Sequence, residues 1–225
     1  MPNWVGYARG IGAIAAYRST TTYDGNTYYA NTLLHSYDQE VQRDGPRMYW
    51  KLDEAGSATT AADSSNFGGP AVRLVGDYDD TAHGTTTGPL VGLASTPLAA
   101  DFSGENDYVT VDDSSSLYDL GISYPFTMEA WFKRDSTGVG NNNFALTIHG
   151  PLGTETTYFS IGTIDTGEAR AKAGTSAVDY PTDFMNAGGD FHDDEWHHIV
   201  AVFSNVTISI YMDGKYGATQ SHSQT

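Results

Sequence analysis

The chain has 225 residues, no cysteine and a formal net charge of −17 at pH 7. These values exclude disulfides and thiolate zinc sites. The acidic excess argues against binding to nucleic acid phosphates or anionic lipid. Glycine (25 residues) and tyrosine (15 residues) are frequent, which favours strands and turns over helices.

The first 46 residues differ in composition from the rest. They contain three arginines and four acidic residues, a net charge of −1, which leaves −16 for residues 47–225. Large aliphatic residues are too few here to form a separate core, whereas tyrosine provides contact area at low entropic cost. We expect an extended arm that either docks on partner proteins or packs across the main domain. The candidate docking residues are Trp4, Tyr7, Tyr17, Tyr23, Tyr28 and Tyr29.

The N-terminal sequence gives no sign of export. It lacks the basic start and long apolar run of a secretion signal, and no stretch approaches the roughly 18 apolar residues of a membrane span. We therefore expect no membrane insertion, and synthesis in a cytosol from which the protein is released by lysis.

Short strands and turns alternate from residue 47 onward. Residues 47–52 predict a strand, and the Gly- and Asp-rich residues 76–100 predict a long loop. Many short strands without a convincing long helix predict an antiparallel sandwich or jelly roll. The further predicted strands are 98–102, 108–111, 126–133, 144–149, 158–164, 169–173, 196–203 and 207–212.

The predicted strand 126–133 alternates strictly. Phe126, Met128, Ala130 and Phe132 share one face, and Trp131 lies on the other. Trp131 is therefore a candidate for stacking on a sugar, with packing between two sheets as the alternative. The other two candidate glycan-binding residues are Tyr158 and Tyr180.

The stretch Trp196–Phe203 is apolar at nearly every position, which predicts a central strand covered on both faces. His197 and His198 are adjacent, so a strand points them to opposite faces. We expect each to bond to a neighbouring strand or loop rather than to a shared metal. A metal site built from His192, His197 and a carboxylate is the alternative. Asp213-Gly214 predicts a tight turn after the next strand.

Five segments, in order, resemble laminin-G-like, concanavalin A-like jelly-roll domains. They are GPRMYWKLDEAG (45–56), ADSSNFGG (62–69), ADFSGENDYVTVDDSSSL (100–117), FTMEAWFK (126–133), and the strand pair DEWHHIVAVF (194–203) with ISIYMDGK (208–215). The resemblance implies an all-β, concanavalin A-like antiparallel β-sandwich over residues 47–225, preceded by the extended arm of residues 1–46. It gives Trp50, Trp196, His197 and His198 structural roles.

Two features depart from the family pattern. The family continues past the Asp-Gly-Lys turn with about two more strands, so we expect either a longer gene product or a neighbouring subunit that completes the sheet. Residues 1–46 match no part of the pattern.

The resemblance also implies a setting. Phage proteins often display this fold on the virion, and the run Tyr-x-x-Glu-Val-x-x-Asp-Gly-Pro-x-x-Tyr-Trp that ends at Trp50 resembles phage minor tail proteins. We expect a non-enzymatic virion protein, in a tail rather than a capsid. It would form homo-oligomers and contact other virion proteins, with or without adhesion to a host-surface glycan. The alternatives are a free carbohydrate-binding module, a fragment of a larger adhesin or enzyme, and a capsid decoration protein.

The sequence supports hydrolase activity and metal binding less than it supports the virion-protein interpretation. The related glucanases need a Glu-x-Asp-x-x-Glu run, which is absent here. Calcium is the one cofactor that the acidic side chains suggest, because carboxylate and amide oxygens are its ligands; the alternative is that these residues form turns. The candidate oxygen donors are Asp63, Asn66, Asp101, Asp107, Asp112 and Asp113.

Overall fold

The fold consists almost entirely of antiparallel strands. Contacts between Cα atoms divide the chain into two compact units, residues 1–112 and 113–225. No helix among the described residues has the length and apolar character needed to cross a bilayer. The computed structural model describes residues 16–23, 26–33, 37–54, 56–66, 75–79, 82–88, 98–102, 108–110, 125–134, 143–149, 158–164, 166–174, 183–187 and 189–221.

The first unit contains a hairpin, a short helix and two small sheets. β1 and β2 form the hairpin, β3, β4 and β7 form one sheet, and β5 pairs with β6. The elements are β1 (Ala16–Tyr23), β2 (Asn26–Leu33), α1 (Tyr37–Arg43), β3 (Thr60–Ala61), β4 (Gly76–Asp79), β5 (Ala82–Thr87), β6 (Leu98–Asp101) and β7 (Tyr108–Thr110).

Two sequence predictions in this unit were wrong. Residues 47–52 form no strand: Trp50 makes a single bridge to Asp63, and Leu52 adopts a left-handed backbone with φ of 55°, which a continuous strand excludes. The predicted loop over 76–100 contains β4 and β5. Gly76 is buried where a Cβ atom would lie 2.4 Å from Val109 and 2.9 Å from Trp50. Close packing, rather than a turn, therefore explains this glycine.

The second unit contains two four-stranded antiparallel sheets. One has the order β12-β11-β10-β9 and the other the order β15-β14-β13-β8. The strands are β8 (Phe126–Lys133), β9 (Asn143–His149), β10 (Tyr158–Thr163), β11 (Ala169–Gly174), β12 (Asp183–Ala187), β13 (Trp196–Phe203), β14 (Thr207–Met212) and β15 (Lys215–Ser221). The predictions for β8 and β13 match to the residue, and those for β9, β10 and β11 match within one residue.

Large and small side chains share the core of this unit. On β10, Phe159 and Ile161 lie beside Ala173 and Ala171 of β11, and the alanines leave room for the isoleucines of the opposite sheet. Phe203 is fully buried. Its ring stacks on Phe126 at a centroid distance of 4.9 Å and meets Phe159 edge to face at 5.3 Å. The buried cluster comprises Met128, Phe159, Ile161, Ala169, Ala171, Ala173, Ile199, Ala201, Phe203, Ile208, Ile210 and Met212.

The turn between β14 and β15 forms as predicted. Asp213 and Gly214 both have positive φ, 50° and 73°, as a two-residue hairpin of type I′ requires. The Asp213 amide donates a hydrogen bond to the His198 carbonyl at 2.9 Å. This turn is thereby attached to β13.

The three phenylalanine rings join the two sheets, so we expect Phe203→Ala to lower the free energy of unfolding by about 3 to 5 kcal/mol. Urea unfolding followed by far-UV circular dichroism measures this change. The control is Val206→Ala, because Val206 is 63% exposed. Equal effects of the two variants would contradict the assignment of Phe203 to the core.

Candidate functional site

The outward face of the β8–β13–β14–β15 sheet carries a group of aromatic side chains. Register places His198 beside Trp131, and Tyr211 beside Tyr216. Glu129 lies in the same cross-strand row as the two tyrosines, separated from them by Val200. We call the surface formed by Trp131, His198, Glu129, Tyr211 and Tyr216 the aromatic face.

Trp131 and His198 form the first part of this face. Their rings stack with a centroid distance of 4.7 Å and an interplanar angle of 20°. His198 is buried although it points away from the core, whereas Trp131 is half-buried. The alternative of Trp131 packing between the sheets is wrong, because strand alternation puts its side chain opposite that of Met128.

Two tyrosines form the second part. Tyr211 and Tyr216 meet at a centroid distance of 5.7 Å and an interplanar angle of 67°. Tyr216 is 62% exposed, so a ligand can reach its side chain. Hydroxyl groups lie in the next row, where Ser209 and Thr219 are joined by a hydrogen bond of 2.6 Å. Flat apolar rings beside hydroxyl groups match the mixed surface of a sugar.

His198 and Glu129 form a polar pair beside Trp131. The Nε2 atom of His198 is buried and has no hydrogen-bond partner. It lies 3.7 Å from Glu129 Oε2, which is too far for a hydrogen bond. The Glu129 side chain is 42% exposed, so its carboxylate can move and can contact a ligand.

His197 points to the opposite face, as the sequence predicted. Its Nδ1 lies 2.9 Å from Asp213 Oδ2 and its Nε2 lies 3.0 Å from Asp193 Oδ1. Carboxylates only accept hydrogen bonds, so both ring nitrogens donate when the imidazole is protonated. The contacts attach the loop before β13 to the β14–β15 turn.

The contacts with Asp213 and Asp193 shift the pKa of His197. Burial, the largest single influence, lowers the pKa of His197, but the hydrogen bonds and charges of Asp213 and Asp193 outweigh it and leave the pKa raised above its ordinary 6.5. The hydrogen bond from His197 is the main cause of a lowered pKa for Asp193. His197 and Asp193 therefore stabilise each other's charged forms.

His192 belongs to a separate network. Its Nε2 lies 2.7 Å from Arg134 Nη1 and 3.1 Å from Thr163 Oγ1. An arginine can only donate, so this nitrogen is the unprotonated acceptor. His192 and His197 thus contact different partners, and no group of three metal-ligating side chains occurs among the described residues.

The other predicted site residues are dispersed. Tyr158 lies in β10, in the other sheet from Trp131, and Tyr180 lies outside the described residues. Trp50 packs over Gly76, and Trp196 begins β13 opposite Lys133.

Of the candidate docking residues, the hairpin positions the tyrosines, while Trp4 and Tyr7 lie outside the described residues. Thr20 pairs with Tyr29 and Thr21 with Tyr28. The remaining two tyrosines are Tyr17 opposite Thr32 and Tyr23 opposite Asn26.

Of the candidate calcium ligands, Asp63 has hydrogen bonds that the structure describes. The Asp63 carboxylate accepts hydrogen bonds from the Tyr49 amide at 3.0 Å and from the Ser65 amide at 2.9 Å. Asp63 thus binds the backbone two residues later, as a turn-forming aspartate does, and also holds the more distant segment that contains Tyr49. Asn66 is exposed and Asp101 lies in β6; Asp107, Asp112 and Asp113 lie outside the described residues. Calcium binding stays a prediction.

Sequence reasoning missed Glu129, Tyr211 and Tyr216 as site residues. Alternation in β14 had already put Tyr211 on the face opposite Ile208 and Ile210. The missing information was the register, which places β14 two strands away from Trp131 and adds Tyr216 from β15.

We expect the His197 contacts to make stability depend on pH. The folded state holds the His197 proton more tightly than the unfolded chain. The contacts therefore contribute fully below the ordinary pKa of 6.5 and lose that contribution as the pH rises through the raised value. The wild type should exceed His197→Gln in Tm by a few degrees at about pH 5.5 and by less at about pH 9.

Thermal unfolding of both proteins across this range measures the difference. Asp194→Asn is the control, because it removes a neighbouring exposed charge and asparagine tolerates the left-handed φ of 66°. A Tm difference that is constant with pH would contradict the proposed protonation of His197.

The match to a family model agrees with this architecture. A laminin-G family, described as the concanavalin A-like lectin/glucanases superfamily, matches residues 103–225. The crystal structure of an S-layer domain-containing protein from Clostridium thermocellum ATCC 27405 is similar, with 19% sequence identity, 77% of this chain and 71% of that chain covered, and a TM-score of 0.44. No curated protein matches the sequence. The family match spans more than half of the residues, and the chain therefore belongs to the concanavalin A-like lectin/glucanase superfamily.

Proposed function

We propose that the chain is a non-enzymatic, glycan-binding protein of a phage virion, a minor tail protein that displays its sandwich toward the host surface. The observation that carries the glycan-binding part is the aromatic face. Its two aromatic pairs come from four adjacent strands of one sheet, with Tyr216 largely exposed. Such rings provide apolar contact with sugar C–H groups, and the neighbouring polar groups provide hydrogen bonds.

The arrangement of carboxylates favours binding over hydrolysis. Retaining glycosidases use two carboxyl groups about 5 to 5.5 Å apart, one as acid and the other as nucleophile. Among the described outward-facing side chains of β8, β13, β14 and β15, Glu129 is the one carboxylate. Glu129 can therefore accept hydrogen bonds from sugar hydroxyls, and none of the described side chains on this face offers it a second carboxylate for the glycosidase mechanism.

The virion part of the proposal rests on the N-terminal segment and the sequence resemblance. In the described part of the chain, β1 and β2 pair only with each other. A two-stranded hairpin is marginally stable by itself, and its outer edges can accept a further strand. The sixteen residues of the two strands carry one charge, Arg18. Edges with a single charge suit docking on other virion proteins or on further copies of this chain.

If the aromatic face binds glycans, Tyr216→Ala should weaken binding about fivefold to tenfold, because an exposed ring contact contributes about 1 kcal/mol. The ligands are galactotriose, mannotriose, trigalacturonate and trimannuronate, titrated into the full chain while amide NMR signals are recorded. Tyr108→Ala is the matched control, since Tyr108 is an exposed tyrosine in the first unit. Glycan binding is overturned if none of the four ligands shifts the signals of β8 or β13–β15 at about 10 mM.

A virion role predicts assembly. Native mass spectrometry of the protein from its own source should give multiples of its chain mass or complexes with other virion proteins, because the hairpin edges pair between chains. A single species with the mass of one chain would instead favour a free carbohydrate-binding module.

A further inference from the structure

One buried polar atom borders the aromatic face without a partner. Among the described side chains, the buried atoms that make no hydrogen bond are Gln42 Oε1, Ser160 Oγ and His198 Nε2. Of these, His198 Nε2 adjoins the aromatic face, because the ring stacks under Trp131. A buried polar group without a partner is rare in native proteins and calls for an explanation.

A ligand hydroxyl supplies the missing partner. A hydroxyl can accept a hydrogen bond from Nε2–H and at the same time donate one to a carboxylate. Glu129 Oε2, 3.7 Å from Nε2, leaves no space for an oxygen between them, but its exposed side chain can move outward. The hydroxyl would then bridge the two groups beside the Trp131 ring. This arrangement requires a proton on Nε2.

The negative charge of the Glu129 carboxylate determines which sugars can bind beside it. A ligand that spans from Trp131 to the tyrosines crosses β13 near His198 and Val200, and Glu129, at the β8 end of the tyrosine row, borders this path. Lys133 lies on the other side of Trp131, opposite Trp196, and so away from this path. A uronate carboxylate on the path would be repelled by Glu129, and the chain charge of −17 adds to that repulsion.

We infer that Glu129 and His198 are the specificity-determining pair of the glycan site, which selects a neutral oligosaccharide through one bridging hydroxyl and rejects its acidic counterpart. This inference rests on the proposed glycan-binding function and goes further, because it names the ligand class and the two groups that recognise it.

The test compares ligands that differ in charge. Galactotriose and trigalacturonate, and likewise mannotriose and trimannuronate, share linkages and differ in the carboxylates. Wild-type protein should bind the neutral member of a pair about tenfold more tightly at low salt. Glu129→Gln keeps the shape and removes the charge, so the ratio should fall to about twofold. Glu195→Gln, which removes an exposed charge from the loop before β13, should leave the ratio unchanged.

A second measurement follows the histidine itself. In ¹⁵N NMR, addition of the neutral trisaccharide should shift the His198 Nε2 signal in the wild type, and Glu129→Ala should reduce both this shift and the affinity.

The outcomes separate the two proposals. Absence of any binding overturns the glycan-binding function together with this inference. Binding that depends on Tyr216 but shows the same neutral-to-acidic ratio in Glu129→Gln overturns the inference alone. A preference for the acidic trisaccharide, as Lys133 would produce, also overturns it.

Discussion

The second unit depends on one geometric constraint, the alternation of side chains along β13. His197, Ile199, Ala201 and Phe203 point to one face, where the last three are buried in the core. The intervening positions point to the other face, where His198 supports Trp131. Because the side-chain period of a strand is two, the packing that fixes Phe203 also fixes the position of His198. A shift of the strand by one residue would disrupt both the core and the aromatic face.

The two adjacent histidines illustrate how this constraint separates roles. His197 is held between two carboxylates and attaches a loop to a turn, so its effect is on the end of the sandwich and depends on pH. His198 is covered by a tryptophan and retains one unsatisfied nitrogen, so its effect is at the outward surface. His197 therefore makes a structural contact, whereas the adjacent His198 is a candidate ligand contact.

Different contacts stabilise the described part of the first unit. Its sheets are short, and its described contacts include side chain to backbone bonds such as those of Asp63. Gly76 lets Trp50 and Val109 approach the strand closely. Among the described residues of this unit, the buried apolar side chains are Val41, Ala61 and Ala99, and polar bonds and close approach accompany them.

The sequence by itself determined the strands whose pattern was strong. β8 and β13 were predicted to the residue because eight consecutive positions alternate or stay apolar, and the Asp213-Gly214 turn followed from its backbone requirements. The family and the all-β fold also followed from sequence. By contrast, the sequence of β4 and β5 predicts a loop, since glycine and aspartate are common in turns and only pairing with other strands stabilises these strands. The aromatic face was likewise decided by tertiary structure. Alternation assigned Trp131 and Tyr211 to faces of their own strands, but the strand order and register brought Glu129, His198 and Tyr216 beside them, and these depend on contacts between residues far apart in the chain.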